Sequence, residues 1–343
     1  MGVFERVGDE YETVVHANDP ASGLRCIIAV YSTALGPALG GTRFYPFATE
    51  DDALRDVLRL AKAMAYKASA AGLDLGGGKA VVIGDPRKDK TPELLRAYGR
   101  AVERVGGAYI TTADVGTTSA DMDVIAETTR YVTGTSSRSG DPSRVTAYGV
   151  WHGMKAVAQE LWGDPSLAGK HVAVQGVGKV GSGVVRHLAS EGAQLTIADV
   201  DTAAADALAK ETGAEVVLAD EILGVPCDIL SPCALGAVVN DASLASIKAR
   251  AIAGAANNQL ERLEHGDALT EAGILYAPDY VINAGGLINV EDELHGYDEQ
   301  RALAKAAAIG ERLQNVFARA KSDGVSTATA ADRVAGERIR AAR

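Results

Sequence analysis

The sequence contains no apolar run long enough to cross a bilayer: stretches such as residues 26–31 and 80–83 are strand-length, against the roughly 18 residues a spanning helix needs. Basic charge is in deficit, with 34 Lys and Arg against 45 Asp and Glu and a net charge of −11. The counterion displacement that drives binding to nucleic acid or an anionic membrane therefore lacks a source, and neither is expected as a partner. Cysteine is scarce, and Cys26, Cys227 and Cys233 form no CxxC pair. That excludes a disulfide framework or a cysteine zinc knuckle and points to reduced thiols. No two of the histidines, at positions 16, 152, 171, 187, 265 and 295, have the HExxH spacing that would set both on one helical face, so no metal is expected. The early acids Glu5, Asp9, Glu10 and Glu12 stand where a secretory signal would carry basic and then apolar residues, which makes the expected location cytoplasmic.

What is present is an ordinary globular composition, 47% hydrophobic and 23% charged over 343 residues, enough for two domains with separate cores. The first half alternates strand-like and helix-like segments. A strand over 25–33 leads to a glycine turn over 35–41. Thr49, followed by Glu50, Asp51 and Asp52, then opens a helix carrying Leu54, Val57, Ala61, Met64 and Ala68 at helical spacing, which ends near Gly72. A strand over 80–83 precedes Thr91-Pro92-Glu93, a capping threonine and a proline at the first helical position. That helix closes at Gly106-Gly107, and a strand from Ala108 ends at Asp114. Residues 134–144, rich in Ser, Gly and Arg, read as a loop or hinge. From Lys170 a regular βαβ rhythm sets in, with strands expected over 171–175, 194–199, 215–218, 228–230, 251–254 and 274–276. The fold class is therefore α/β, with a doubly wound sheet in the second half. An alanine-rich helical tail from Gln300 is expected to return to the first domain.

Gly176-Val177-Gly178-Lys179-Val180-Gly181 is a GxGxxG between a strand and a helix. Its glycines permit a tight turn, let backbone approach a pyrophosphate and allow close helix-on-strand packing, while the helix N-terminus favours the phosphate charge. Asp199 ends the next strand, where an acid can accept from the adenosine ribose and repel a 2′-phosphate. The expected cofactor is NAD. A glycine turn needed only for packing is the alternative, and Lys179, at an x position, reads as solvated.

Lys67 shares a helical stripe with Leu60 and Met64. It either snorkels from the helix end or offers a cation to a substrate carboxylate. Lys79 follows Gly76-Gly77-Gly78, which reads as a tight turn that a substrate could approach closely. A phosphate-binding P-loop is excluded, because Leu73 and Ala80 stand where it needs Gly and Ser or Thr. In a desolvated cleft near Lys67, like charge and burial would push the Lys79 pKa down and make it a candidate general base, with Asp114 completing an acid–base set. Separately, Lys79 and Asp114 also read as surface or salt-bridged residues.

Five stretches in order resemble the amino acid dehydrogenase family of glutamate, leucine, phenylalanine and valine dehydrogenases: residues 35–43 (LGPALGGTR), 75–79 (LGGGK), 112–116 (TADVG), 254–258 (GAANN) and 283–286 (NAGG). Within that family GTRFYP (41–46), LWGDP (161–165) and APDYV (277–281) look most like valine dehydrogenases, with leucine dehydrogenases next. The resemblance implies a substrate-binding and oligomerisation domain over 1–140, a Rossmann NAD domain over 145–317, a C-terminal helix over 318–343 joining the first, and a cleft between domains that closes over the reactants. It implies that Lys67 binds the substrate carboxylate, Lys79 activates the water that attacks an imine, and Asp114 exchanges protons with the amino group. Gly40 and Gly41 would line the substrate loop, Asn257 and Asn283 would lie near substrate and nicotinamide, and Thr146 would hold the carboxamide. It also implies a homo-oligomer, dimer or octamer, and NAD-dependent deamination of a branched-chain aliphatic L-amino acid. Phenylalanine dehydrogenase and a non-catalytic Rossmann module are the alternatives. The segment around Ser136-Ser137-Arg138-Ser139-Gly140-Asp141 departs from the family, which often has Gly-Gly-Ala-Gly there.

The pocket implied by the resemblance comprises Leu39, Ala113, Leu287 and Val290, none of which offers charge to a side-chain carboxylate, so glutamate should be a poor substrate. Leu287 would shorten it and favour valine. Replacing Leu287→Ala is expected to raise the ratio of kcat/KM for phenylalanine to that for valine by about tenfold; an unchanged ratio would remove Leu287 from the pocket.

Overall fold

A computed structural model describes residues 3–137 and 139–343, so Arg138 of the divergent loop lies outside the described residues. The chain divides into two compact units, residues 1–140, 290–298 and 335–343 in the first and residues 141–289 and 299–334 in the second.

The first unit contains α1 (Val3–Val7), β1 (Thr13–Asp19), β2 (Leu24–Ser32), β3 (Ala38–Tyr45), α2 (Glu50–Ala70), β4 (Gly76–Ile83), α3 (Pro92–Arg104), β5 (Tyr109–Ala113) and α4 (Ser119–Ala126). Its strands form one mixed sheet in the order β1-β2-β4-β3-β5. The β1–β2 and β2–β4 pairings are antiparallel, and β3 runs parallel to both β4 and β5. β2 is buried on both faces, which is why it reads as a nearly unbroken apolar run. One face carries Ile28, Phe44, Ala80 and Val82 against Tyr98, Met122 and Ile125 of α3 and α4. The other carries Ile27, Ala29 and Val81 against Val57, Ala61 and Ala65 of α2. Thr49 caps α2 by accepting from the Asp52 N–H, and Thr91 caps α3 by accepting from that of Leu94.

Two expected turns are strand instead. Gly76–Gly78 lie inside β4, and residues 38–41 lie inside β3. The glycines are there for close approach: a Cβ on Gly77 would overlap the backbone of Ala65 in α2, and one on Gly78 would sit 2.7 Å from the Tyr109 ring. The low strand propensity of glycine hid the element, because propensity does not register what packs against it.

The second unit contains α5 (Ser143–Trp162), β6 (His171–Gln175), α6 (Lys179–Ser190), β7 (Gln194–Ala198), α7 (Thr202–Thr212), β8 (Glu215–Val216), β9 (Ile229–Pro232), α8 (Asp241–Leu244), β10 (Ala251–Ile252), α9 (Glu264–Glu271), β11 (Leu275–Tyr276) and α10 (Asp279–Ile282). All its strand pairs are parallel, in the order β11-β10-β9-β6-β7-β8. This is the doubly wound order, reversing direction at β6. Through α11 (Gly285–Asp292) the chain passes from the second unit to the first, and α12 (Glu299–Ala307) and α13 (Ile309–Asp323) are again in the second.

The return to the first unit is shorter than 318–343. α13 packs on α5, where Leu313 would lie 3.0 Å from a Cβ on Gly153, and so stays with the second unit. Only the end of α14 (Thr327–Ala341) joins the first, through Ile339 in the α2 core, the Ser69 hydroxyl donating to the Ala335 carbonyl at 2.8 Å, and Arg338 on the Leu73 carbonyl at 2.8 Å. Among the described residues no helix is long and apolar enough to cross a membrane.

A methyl group at Gly77 must force α2 off β4. Gly77→Ala is expected to lower stability by about 1–3 kcal/mol or more, read as a shift in the urea midpoint; a wild-type midpoint would contradict the close contact.

Candidate active site

Lys79 sits mid-strand in β4, on the α2 side of the sheet, and is 5% exposed. Asp114 follows the last residue of β5. Between their two strands lies β3, whose Gly41 pairs in register with Thr112 of β5. Because Gly41 has no side chain, the lysine reaches across: Lys79 Nζ is 2.6 Å from Asp114 Oδ2. A Cβ on Gly41 would come within 2.7 Å of Asp114 Cβ and 2.9 Å of the Ala113 carbonyl oxygen. The Asp114 backbone is fixed by Thr117, whose hydroxyl accepts from the Asp114 N–H at 2.9 Å and donates to the Thr42 carbonyl at 2.9 Å.

Burial lowers the Lys79 pKa below the usual lysine range; the Asp114 carboxylate opposes this and the Arg43 charge adds to it. Like charge therefore comes from Arg43, a neighbour the sequence reading did not single out. For Asp114 burial pushes the other way, but the charges of Lys79 and Arg43 outweigh it and hold the carboxyl below its ordinary value. The site thus contains an ionised acid touching an amine whose charge is costly, a combination suited to proton exchange near neutral pH.

Lys67 occupies the last turn of α2 and is half-buried. Its row, with Leu60 and Met64, is a half-buried shoulder and not the apolar stripe expected; the buried stripe is Ala53, Leu54, Val57, Leu58, Ala61, Ala65 and Ala68. Gly40 and Gly41 belong to β3 and not to a loop. Leu39, on the same strand, is fully buried, whereas Ala113 is half-buried and packs against the core on the α3 and α4 side, so strand alternation separates these two pocket candidates. Leu287 is buried and Val290 half-buried, both on α11.

Arg43 and Asp56 are the residues that sequence reasoning missed. Arg43 was visible only as the end of the quoted Gly-Gly-Thr-Arg stretch, two residues beyond Gly41 and therefore on its face of β3.

In the second unit Gly176 has φ of +92°, and a Cβ on Gly181 would overlap the Gly176 carbonyl, so each glycine answers a specific constraint. Nothing lies within 4 Å of a Cβ on Gly178, the N-cap of α6, and no side chain caps that helix. The N-terminus is an open, positively polarised cradle of the kind a phosphate fills. Asp199 Oδ2 accepts from the Val177 N–H at 2.6 Å and Oδ1 from the Asp201 N–H at 2.9 Å, so it also holds the loop in shape. Val180 is half-buried, and Lys179 makes a largely exposed ion pair with Asp141 at 2.7 Å.

Gly285 packs directly on the first turn of α5, where Thr146 Oγ1 donates to the Pro142 carbonyl. Asn283 Nδ2 donates to Asn257 Oδ1 at 2.9 Å and to the Ala255 carbonyl at 3.1 Å. Asn283 Oδ1 is buried without a hydrogen-bond partner among the described residues, an acceptor suited to an amide donor. The glycine cradle, Asp199 and this acceptor fit a nicotinamide dinucleotide.

Two other clusters lie outside this arrangement. The Cys233 thiol meets the Ser231 hydroxyl at 3.4 Å, and burial pushes its pKa up, which disfavours a thiolate nucleophile. Asp241, Glu261 and His265 bring ligand atoms within 4.8 Å of one another, but the Arg262 guanidinium already holds both Asp241 oxygens at 3.0 Å.

Two family models match the chain. Residues 11–131 match the family model "Glu/Leu/Phe/Val dehydrogenase, dimerisation domain", and residues 139–208 and 196–343 match "Glutamate/Leucine/Phenylalanine/Valine dehydrogenase". The leucine dehydrogenase of Geobacillus stearothermophilus is 54% identical, over 96% of this chain and 91% of that protein. The valine dehydrogenase of Streptomyces coelicolor is 51% identical, over 97% of this chain and 93% of that protein. The crystal structure of L-tryptophan dehydrogenase from Nostoc punctiforme superposes with a TM-score of 0.91 at 43% identity, covering 99% of this chain and 98% of that one. Dehydrogenases of this kind depend on a pyridine nucleotide. With both units matched, and with relatives above 50% identity along nearly the whole chain, the protein belongs to the Glu/Leu/Phe/Val dehydrogenase family of amino acid dehydrogenases.

Proposed function

We propose that the enzyme catalyses the reversible oxidative deamination of a branched-chain aliphatic L-amino acid, valine favoured and leucine and isoleucine accepted, with NAD as oxidant. The products are the 2-oxo acid, ammonia and NADH. The observation that carries the proposal is the buried Lys79–Asp114 pair at 2.6 Å. The leucine and valine dehydrogenases, at 54% and 51% identity, support the substrate class. Leu39, Leu287 and Val290 carry no charge that would favour a side-chain carboxylate, which is consistent with it, whereas Ala113 faces the α3 and α4 side of the sheet.

In this reading Lys67 pairs with the substrate carboxylate, and the backbone at Gly40 and Gly41 lets the amino acid approach β3. Asp114 takes a proton from the substrate ammonium and frees the nitrogen lone pair. Bound NAD supplies the acceptor for the hydride that leaves Cα, and the substrate becomes an imine. Lys79, its cation disfavoured by burial, takes a proton from the water that attacks the imine carbon. Asp114 returns its proton to the nitrogen. As the C–N bond breaks, the hydroxyl oxygen forms the C=O bond and its proton passes to the departing ammonia, which leaves as ammonium, while Lys79 later loses the water proton to solvent. The cradle of Gly176, Val177, Gly178, Lys179, Val180 and Gly181 would hold the pyrophosphate, Asp199 the ribose, and Thr146, Asn257 and Asn283 the nicotinamide side. An acid at Asp199 is the reason to favour NAD over NADP. We further infer a cytoplasmic homo-oligomer, dimer or octamer, assembled through the first unit; the match of residues 11–131 to a dimerisation domain supports the assembly.

Lys79→Ala is expected to abolish turnover while NADH still quenches protein fluorescence on binding. Near-normal turnover would remove Lys79 from the mechanism. Assay across valine, leucine, isoleucine, phenylalanine, tryptophan and glutamate assigns the preferred substrate.

A further inference from the structure

Behind the Lys79–Asp114 pair stands a second layer of charge. Arg43, two residues beyond Gly41 on β3, points its Nε at Asp114 Oδ2, 3.5 Å away, and its Nη1 at Asp56 Oδ2, 2.8 Å away. Asp56 comes from α2 and receives Arg59 on its other oxygen at 2.9 Å. The Arg43 and Asp114 side chains are each 23% exposed and that of Asp56 is 16% exposed, so these contacts are only partly screened by water. Arg43 Nε is buried and makes no hydrogen bond among the described residues. Its separation from Asp114 exceeds hydrogen-bond length, while Lys79 occupies the same carboxylate oxygen at 2.6 Å. Asp114 Oδ2 is likewise buried without a hydrogen bond among the described residues, so this one oxygen faces two cations, Lys79 close and Arg43 farther off, and is hydrogen-bonded to neither.

We propose that Arg43 is a positioning residue for the reaction, a second cation anchored by Asp56 that holds Asp114 ionised and in place when Lys79 leaves it to serve the water. The inference rests on the roles given above to Lys79 and Asp114. As Lys79 turns away, the Nε–H of Arg43 closes on the oxygen just vacated, and Asp56 keeps the guanidinium from following the substrate. The charged groups facing the pair are Arg43 from β3 and Asp56 from α2, with Arg59 paired to Asp56. Burial chiefly, and then the Arg43 charge, disfavours the Lys79 cation; Lys79 and Arg43 together favour the Asp114 anion. Removing the Arg43 charge therefore raises both pKa values.

The test is the pH profile of kcat/KM for amino acid deamination in Arg43→Gln and Arg43→Lys, alongside Lys79→Ala, with melting temperature and NADH binding recorded for each. Arg43→Gln should lower kcat more than about tenfold with NADH binding unchanged, and should move the ascending limb of the profile upward by about one pH unit. Arg43→Lys should leave the limb in place but lose several-fold in kcat, because an ammonium lacks the fork that spans Asp56 and Asp114 together. Wild-type kcat and limb position in either variant overturn the proposal. So does a kcat loss in Arg43→Gln with a lowered melting temperature and an unmoved limb, which is the mark of a merely structural residue. If Arg43→Gln does not fold, Arg43→Lys decides by its kcat. Normal turnover by Lys79→Ala would instead overturn the underlying assignment, and is distinguishable because it does not involve Arg43.

Discussion

A lysine on one strand meets a carboxylate at the end of another across a third strand that has no side chain in the way. That gap, at Gly41, is the constraint on which the first unit turns. The pair it permits is buried enough to make the lysine's charge expensive, yet close enough for attraction to offset much of that expense. Removing one member of such a pair costs roughly 3–5 kcal/mol elsewhere, so the geometry is held firmly. The neighbouring glycines let α2 and Tyr109 pack directly on β4 beside Lys79, Gly77 against Ala65 and Gly78 against the Tyr109 ring.

The second unit solves a different problem with the same residue type. Its glycine loop leaves backbone open at the N-terminus of α6, and Asp199 braces that loop through the Val177 N–H. In the proposed reading, proton chemistry rests on side chains of the first unit and nucleotide binding on backbone of the second.

The strands of the second unit were legible because their apolar runs alternate with helical segments, and β6 spans the residues expected, His171–Gln175. The flanking strands β8, β10 and β11 are only two residues long, so their expected lengths were too generous. Gly76–Gly78 were misread as a turn because local propensity cannot anticipate a helix lying on the strand. The C-terminal return was overextended for a similar reason: α13 and α14 look alike in composition, and only tertiary packing on α5 separates them. Lys79 and Asp114 could be named from sequence as candidates, but their pairing depends on register across three strands. Arg43 and Asp56, 13 positions apart on a strand and a helix, carry no joint signal at all.

The most direct measurement is kcat/KM of Gly41→Ala, made on protein shown to be folded by circular dichroism. If the bare strand is what lets Lys79 and Asp114 meet, the added methyl should lower kcat/KM about 100-fold, the scale of a misplacement near 1 Å. Turnover equal to wild type would mean that the reaction does not depend on the pair.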